Sequence, residues 1–156
     1  RMLTEYRDHT YIPAYKDHEL LSENNFEKCK QITKDFLTLK NNWQKITIEE
    51  LTTDKDLSSL RVDEEFTVTS IVYADDIDPD LIEAEVFYGP LGSLNFIEYP
   101  DIIKMNLEKK DANGNIHYSA AINCEYSGRY GFTVRVVPKD KNWKNSIPGL
   151  ITWAEI

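Results

Sequence analysis

The sequence has few positive charges, only two cysteines and no long apolar run. Of its 156 residues, 18 are Lys or Arg and 27 are Asp or Glu, so the formal net charge is -9. Nucleic acids and anionic membrane surfaces are bound through clustered positive charge, and we expect neither as a partner. The longest apolar runs, such as residues 71–74, fall far short of the ~20 residues that a membrane-spanning helix needs. Because the N-terminus also lacks the pattern of a secretory signal, the composition indicates an acidic, soluble, globular protein.

The two cysteines, Cys29 and Cys124, lie far apart, one in a predicted helix and one in a predicted strand. Free cysteines behave as small apolar residues and are commonly buried, so two buried free thiols are favoured over a disulfide. Reduced thiols indicate a cytoplasmic location. The chain begins with Arg1 rather than methionine and is amphipathic from Tyr6 onward, so we expect it to be a piece of a longer protein.

Residues 1–45 have helical spacing and are predicted to form a separate segment. Apolar side chains recur every three or four residues on one helix face, namely at Phe26, Cys29, Ile32, Phe36, Leu39 and Trp43. A shorter helix precedes this one and is expected to end before Pro13, because the residue before a proline is disfavoured in the helical conformation. Residues 15–22 would connect the two helices as a helical hairpin.

From residue 46 the apolar spacing changes to two, which is typical of half-buried strands. Six or seven short strands are predicted, at 46–49, 66–73, 81–88, 102–109, 116–124, 129–137 and, as the seventh, 150–154. Such a series predicts a mainly β fold in which residues 46–156 form an antiparallel, immunoglobulin-like β-sandwich.

Two local signals agree with this fold. The dipeptide Asn113-Gly114 predicts a two-residue type I′ turn, which would place Leu107 opposite Ala120. Tyr130 stands at the start of a predicted strand, where a tyrosine corner would bond its hydroxyl to nearby backbone.

Most signatures of catalysis and metal binding are absent from the sequence. There is no Gly-rich phosphate loop, no GxSxG or HExxH motif, and no cysteine pair at metal-binding spacing. The three histidines are spaced too widely for a zinc site on one helix. The acidic stretch 75–80 begins like a calcium-binding loop but has Leu81 where that loop requires glycine, so an acidic turn is favoured. We therefore predict no catalytic, cofactor-binding or metal-binding residue in this chain.

Trp143 is the candidate contact for a carbohydrate ligand. It stands in the polar loop 139–146, where a flat ring could stack on a sugar, whereas Trp43 and Trp153 end apolar stretches and are interpreted as core residues. A tryptophan packed over the end of the sandwich is equally consistent with the sequence.

Several stretches, taken in order along the chain, resemble the C-terminal region of bacterial and archaeal α-glucan phosphorylases. Residues 127–138 (SGRYGFTVRVVP), residues 149–154 and the strand 84–89 (AEVFYG) are similar to stretches near the end of that family. Residues 1–14, with Arg1-Met2 and Tyr11–Ala14, resemble the helix that closes the catalytic portion of these enzymes. Trp43 resembles the tryptophan that begins their C-terminal extension.

The resemblance implies a parent enzyme that performs pyridoxal phosphate-dependent phosphorolysis of α-1,4-glucan to glucose 1-phosphate. Its cofactor lysine and its phosphate- and sugar-binding residues would lie upstream of Arg1, so this chain would be a non-catalytic C-terminal accessory domain. Residues 1–45 would be the end of the catalytic glycosyltransferase part, and residues 46–156 the C-terminal β-sandwich domain. The expected partners are the catalytic lobes of the parent chain, with α-glucan and a second copy of the chain as further candidates.

Two other functions remain consistent with the sequence. One is a glucan-binding module that uses Trp143 and exposed tyrosines. The other is an immunoglobulin-like domain that binds a protein partner.

Overall fold

The computed structural model describes residues 2–57, 61–125 and 127–155. The chain divides into two compact units, Arg1–Lys40 and Asn41–Ile156. The first unit is helical and the second is built mainly from strands, which confirms the mainly β class for most of the chain. Arg1, which is included in the resemblance, lies outside the described residues.

The helical unit begins with helix α1 (Met2–Tyr6), which passes through a π-helical turn (Arg7–Tyr11) into helix α2 (Ile12–Asn42). The prediction that a helix ends before Pro13 is wrong, because α2 runs through this residue. In the π-helical turn the Ile12 N–H donates to the Arg7 carbonyl, five residues back. This wider turn separates the proline ring from the carbonyl with which it would clash in a regular α-helix.

The connection between the two predicted helices also lies elsewhere than expected. Residues 15–22 are helical, and the chain leaves the helical conformation only at Glu23–Phe26. Asn24, Asn25 and Phe26 have φ values of 48°, 59° and 61°, in the left-handed region that asparagine adopts more easily than most residues. The predicted hairpin with its connection at 15–22 is therefore wrong, and the asparagine pair marks the actual break.

Beyond this break, the exposure of the side chains agrees with the predicted apolar face. Cys29, Ile32 and Phe36 are half-buried and Leu39 is fully buried. Phe26, which the spacing also assigned to this face, is 52% exposed because it stands in the left-handed break. None of the described helices is both long enough and apolar enough to cross a membrane.

The second unit contains two antiparallel four-stranded sheets. Its strands are β1 (Thr47–Thr53), β2 (Glu65–Tyr73), β3 (Ile82–Pro90), β4 (Asp101–Lys104), β5 (Asn106–Lys110), β6 (Asn115–Asn123), β7 (Tyr130–Pro138) and β8 (Thr152–Trp153). One sheet has the order β1-β2-β6-β5 and the other the order β4-β3-β7-β8. Short 3-10 helices cover Trp43–Lys45 and Pro79–Leu81, and helix α3 (Lys141–Ser146) follows β7.

Alternate residues of the four central strands form the core. The buried apolar residues of these strands include Phe66, Val68, Val72, Ile82, Ala84, Val86, Ile116, Tyr118, Ala120, Ile122, Val134 and Val136. Full burial of one such aliphatic side chain contributes about 1.5–3 kcal/mol. Each sheet therefore has one apolar face, as the period of two predicts.

The stretch predicted as one strand at 102–109 is two strands in different sheets. β4 pairs with β3, whereas β5 pairs with β6, and Met105 lies between them. The Met105 N–H donates to the Ala84 carbonyl at 2.9 Å, and the Met105 side chain is only 2% exposed. Ile103, Met105 and Leu107 keep the apolar period of two through this point. The spacing alone therefore does not reveal that the chain passes from one sheet to the other.

The turn between β5 and β6 has three residues, not the two predicted from Asn113-Gly114. It is closed by a hydrogen bond of 2.9 Å from the Asp111 N–H to the Asn115 carbonyl, and Gly114 has a φ of 89°. The Asp111 carboxylate accepts hydrogen bonds from the backbone N–H groups of Asn113 and Asn115, at 2.8 and 2.9 Å. These bonds stabilise the longer turn, in which glycine takes the left-handed position.

The register of the hairpin differs from the predicted one for the same reason. A further irregularity falls between Leu107 and Lys109, so that Leu107 lies opposite Tyr118 and not opposite Ala120. Leu107 is 48% exposed, although the predicted and the observed register both place it opposite a buried residue of β6.

Candidate functional site

A cavity of about 910 Å³ lies at one end of the β-strand unit. Its lining comes from the ends of strands that antiparallel pairing brings together, where β2 and β7 begin and where β3 and β6 end. Phe66 from one sheet and Phe132 from the other both line it, and their ring centroids are 6.0 Å apart. The volume falls within the range of small-molecule sites, roughly 300–1,000 Å³.

Three tyrosines from different elements line this cavity. Tyr88 is half-buried on β3, directly opposite Phe132 on β7. Tyr130, the first residue of β7, is 42% exposed, and Tyr99, in the connection between β3 and β4, is 88% exposed. Tyr99 and Tyr130 form an exposed aromatic rim at the edge of the cavity, where they can contact a ligand or partner.

Charged side chains of both signs complete the lining. Arg61 and Arg129 stand with Asp101 and Glu125. Burial raises the pKa of Tyr88, and the negative charges of Asp101 and Glu125 raise it further. The Tyr88 hydroxyl therefore keeps its proton at neutral pH and can donate a hydrogen bond into the cavity.

Two glycines allow the connection between β3 and β4 to pack against the sheet. Gly89 and Gly131 lie opposite each other on β3 and β7. A Cβ atom at Gly89 would lie 2.9 Å from the Ile97 side chain and 3.0 Å from the Glu98 carbonyl oxygen, and one at Gly131 would lie 2.6 Å from the Leu91 side chain. The close approach of this connection therefore requires residues without a side chain.

Hydrogen bonds hold the same connection in place. The Leu91 N–H donates to the Arg129 carbonyl and the Glu98 N–H to the Pro90 carbonyl, both at 2.8 Å. The Arg129 guanidinium donates to Asn95 Oδ1 at 3.0 Å. The connection that positions Tyr99 is therefore tied to the start of β7 through backbone and side chain alike.

The two stretches that give the strongest part of the resemblance, 84–89 and 127–138, meet at this cavity. They form most of β3 and β7, which pair along their whole length. Sequence reasoning missed the cavity, because its lining comes from several separated segments. Tyr130, expected to form a tyrosine corner, has its ring in the cavity lining. Glycines next to aromatic residues in both stretches were the signal that could have identified the site.

Trp143, predicted as the candidate glucan contact, does not line the cavity. It is half-buried on α3, whose N-terminus is capped by Asp140 through hydrogen bonds from the N–H groups of Asn142 and Trp143, at 2.8 and 3.4 Å. α3 follows the C-terminal end of β7, whereas the cavity lies at its N-terminal end. At about 3.3 Å per residue, β7 separates the two by roughly 25 Å. Contact between Trp143 and a glucan stays a prediction.

A cluster of buried charges ties α3 to β3. Glu85 is 3% exposed, and its Oε2 atom lies 2.9 Å from both the Nε and the Nη2 atom of Arg135. The Lys144 ammonium group of α3 donates hydrogen bonds to the carboxylates of Glu85 and, at 3.0 Å, of Glu83. Glu83 also forms an ion pair with Lys104 at 2.8 Å. Burial opposes the ionisation of Glu83, but the hydrogen bonds from Lys104 and Lys144 outweigh it and lower the pKa of this carboxyl. The arrangement fixes the helix by charge-assisted hydrogen bonds.

Trp153 belongs to the same region rather than to the core. Its side chain is 41% exposed, so the interpretation as a core residue is wrong. The Arg135 guanidinium carbon lies 5.4 Å from the ring centroids of both Trp153 and Phe87, a distance typical of cation–π contacts. On the short strand β8, the indole ring packs on this cation, which explains why an apolar stretch ends in an exposed tryptophan.

Among residues 2–57, 61–125 and 127–155, no three His, Cys, Asp or Glu side chains are grouped so that they could hold a metal ion. The acids of the stretch 75–80 act separately. Asp78 caps the turn at Pro79–Leu81, Asp75 pairs with Lys45 at 2.9 Å, and Asp80 pairs with Lys139 at 3.1 Å.

Pyridoxal phosphate, which the resemblance implies for the parent enzyme, does not fit the cavity. Enzymes hold this cofactor through the amine of a lysine. The described residues that line the cavity include no lysine. No step of catalysis through this cofactor can therefore be assigned to them.

Comparison with known proteins identifies a family and a curated relative. The family model of the glycogen phosphorylase C-terminal domain matches residues 43–155, beginning at Trp43. The maltodextrin phosphorylase of Thermococcus litoralis is 27% identical over 98% of this chain and 18% of its own length. The chain thus spans less than a fifth of that relative.

A similarity to a solved structure is weaker. The Pseudomonas fluorescens alkylpurine DNA glycosylase AlkC, bound to DNA containing an abasic site analog, matches 67% of this chain and 32% of its own, with 9% identity and a TM-score of 0.41. A match at this level supports no inference about the chain.

Proposed function

This chain belongs to the family of glycogen phosphorylase C-terminal domains, as the resemblance predicted, and we propose that it is the non-catalytic accessory domain of an α-glucan phosphorylase. The observation that carries the proposal is the match over residues 43–155, together with an alignment that covers nearly all of this chain but only 18% of a maltodextrin phosphorylase. The larger remaining part of such a protein would perform the phosphorolysis of α-1,4-glucan to glucose 1-phosphate with pyridoxal phosphate.

We propose further that the β-strand unit is an immunoglobulin-like sandwich. The sheet order β1-β2-β6-β5 corresponds to strands A, B, E and D of an immunoglobulin constant domain, and β3-β7-β8 corresponds to C, F and G. β4 is an additional strand beside β3. The contact between Phe66 and Phe132, which belong to different sheets, supports face-to-face packing.

The proposed partner is the catalytic part of the same polypeptide, and the proposed location is the cytoplasm. Cys29 and Cys124 are both free and half-buried, which supports a reducing environment.

The non-catalytic role is tested with the 156-residue chain itself. Purified chain is incubated with maltodextrin, inorganic phosphate and pyridoxal phosphate, and glucose 1-phosphate is assayed over time. We expect no release above the rate without protein, with an authentic maltodextrin phosphorylase as the positive control. Phosphate-dependent release of glucose 1-phosphate by the chain alone would overturn the proposal.

A further inference from the structure

We propose that the cavity at the start of β7 binds a linear α-glucan oligosaccharide. The choice of ligand rests on the proposed function, whereas the existence of a site rests on the cavity itself. Three features of the lining support the assignment: its aromatic rings, its balance of charges and its anchored rim.

The aromatic rings suit the apolar faces of sugars. A pyranose ring has C–H bonds on its faces and hydroxyl groups around its edge, so flat aromatic side chains stack against its faces. Tyr88, Tyr99 and Tyr130 provide three such rings, and Tyr99 and Tyr130 are 88% and 42% exposed to the solvent from which a ligand arrives. Stacked aromatic rings attract each other beyond the effect of burial alone, and the C–H faces of sugars supply a similar contact.

The charged groups of the lining suit the hydroxyl groups of sugars. Asp101 and Glu125 accept hydrogen bonds, whereas Arg61 and Arg129 donate them. Among the described residues of the lining, two carboxylates balance two guanidinium groups, so their charges do not favour a phosphate or another polyanion. A neutral ligand with many hydroxyl groups uses both kinds of partner at once.

The rim is arranged before a ligand arrives. The connection that positions Tyr99 packs on Gly89 and Gly131. Arg129 holds it in place, because its guanidinium group donates to Asn95 and its carbonyl accepts from the Leu91 N–H. A rim ordered in advance lowers the entropy cost of binding.

The arrangement of the rings favours an α-linked chain over a β-linked one. A β-1,4-glucan is a flat ribbon and suits rings set in line on a sheet face, whereas an α-1,4-glucan curves. Tyr88 belongs to β3, Tyr99 to the following connection and Tyr130 to β7, and all three line one concave cavity. Curved maltodextrin matches such a surface better than cellodextrin does.

The proposal is tested by isothermal titration of the 156-residue chain with maltoheptaose, with cellohexaose as the comparison ligand. We expect saturable binding of maltoheptaose and at least about tenfold weaker binding of cellohexaose. Tyr99→Ala and Tyr130→Ala should each weaken maltoheptaose binding by about tenfold, which is the loss of one stacking contact. Because Tyr99 is so exposed, its replacement should leave the thermal unfolding curve unchanged, and the same curve checks the fold of Tyr130→Ala.

Two matched controls locate the site. Tyr15→Ala removes a tyrosine that is 63% exposed on α2 and should bind as the unmodified chain does. Trp143→Ala tests the alternative contact predicted from the sequence: with the glucan in the cavity this variant should bind normally, because α3 lies at the other end of β7. Loss of binding in Trp143→Ala with unchanged binding in Tyr99→Ala and Tyr130→Ala would overturn the proposal and assign the contact to α3.

The remaining outcomes also decide the question. Absence of saturable maltoheptaose binding, or equal binding of cellohexaose, contradicts an α-glucan site. Neither result touches the accessory-domain proposal, because the titration does not depend on phosphorolysis and that proposal is tested by activity.

Discussion

Tyr118 and Ser70 lie opposite each other in the core of the first sheet, and each is at most 2% exposed. Within the described ranges, neither the Tyr118 hydroxyl nor Ser70 Oγ has a hydrogen-bond partner. A buried polar group without a partner costs about 1–3 kcal/mol. Burial raises the pKa of Tyr118 to about 12, and the charges of Glu83 and Asp80 raise it in the same direction.

Tyr118→Phe should therefore raise the free energy of unfolding at pH 7 by about 1 kcal/mol, because it removes the unpaired hydroxyl. The two proteins should also differ in alkaline solution. In the unfolded chain this tyrosine ionises near pH 10, whereas the folded chain keeps the proton up to about pH 12. The part of the free energy of unfolding that depends on a protonated Tyr118 is fully present below pH 10. It falls by on the order of 2 kcal/mol as the pH rises towards 12.

Urea denaturation of both proteins at pH 7, 10 and 12 measures this difference. The unmodified chain should lose stability relative to Tyr118→Phe between pH 10 and 12. A variant that is markedly less stable at pH 7 would show that the hydroxyl has a partner.

Gly89 illustrates how one missing side chain shapes the cavity. Gly89→Ala brings a Cβ atom to 3.0 Å from the Glu98 carbonyl oxygen, a backbone atom that cannot rotate away. We expect the free energy of unfolding to fall by about 1–3 kcal/mol. Gly149→Ala is the matched control, because no atom lies within 4 Å of its new Cβ, and its effect should stay within about 0.5 kcal/mol. Equal effects of the two substitutions in chemical denaturation would contradict this account of the close approach.

At the scale of elements, α3 depends on the buried charges of β3 and β7. Glu85→Gln leaves Arg135 and Lys144 close together without the charge that they share. Breaking a buried ion pair by removing one partner typically costs about 3–5 kcal/mol, and we expect a loss at the lower end because Glu83 still pairs with Lys144.

An exposed ion pair supplies the control for this substitution. Lys139 pairs with Asp80, which is 88% exposed, so Lys139→Ala should change stability by less than about 1 kcal/mol. Thermal and urea unfolding of both variants make the comparison. A loss with Glu85→Gln that is no larger than with Lys139→Ala would mean that the cluster does not hold α3.

The β5–β6 hairpin gives a prediction at acidic pH. Hydrogen bonds from the side chain and backbone of Asn115 lower the pKa of Asp111, and the backbone of Asn113 adds to this effect. The folded chain therefore binds this proton less tightly than the unfolded chain, so the contribution of Asp111 is present above pH 3.8 and is lost as the pH falls.

Asp111→Asn keeps an acceptor in the turn but removes the titrating group. Its urea midpoint should fall less steeply than that of the unmodified chain between pH 5 and pH 3. Parallel midpoints in the two proteins would show that Asp111 does not contribute to acid unfolding.

Regular elements follow from the sequence because burial imposes a simple period on them. The alternation at 66–73 and 129–137 predicts β2 and β7 to within one residue at each end. The same rule fails at Met105, where the period persists through a change of sheet, and at Pro13, where a π-helical turn accommodates the ring. The turn at Asn113-Gly114 is missed because the Asp111 carboxylate, not the dipeptide, selects its length.

At the scale of the whole molecule, the cavity is the feature that the sequence conceals. Phe66, Tyr88, Tyr99 and Tyr130 are distant along the chain and come together only through the pairing of β3 with β7 and of β2 with β6. No spacing rule connects such residues. The family resemblance depends on short ordered motifs, and for that reason it can be read from the sequence without any knowledge of the cavity.

We propose that this chain is part of an α-glucan phosphorylase. The most direct test captures the native polypeptide that contains the sequence, with an antibody raised against the 156-residue chain. Its size is then determined, and its phosphate-dependent release of glucose 1-phosphate from maltodextrin is assayed. We predict a polypeptide several times longer than 156 residues that releases glucose 1-phosphate. A captured polypeptide of only this length, or a longer one without phosphorolytic activity, would contradict this proposal.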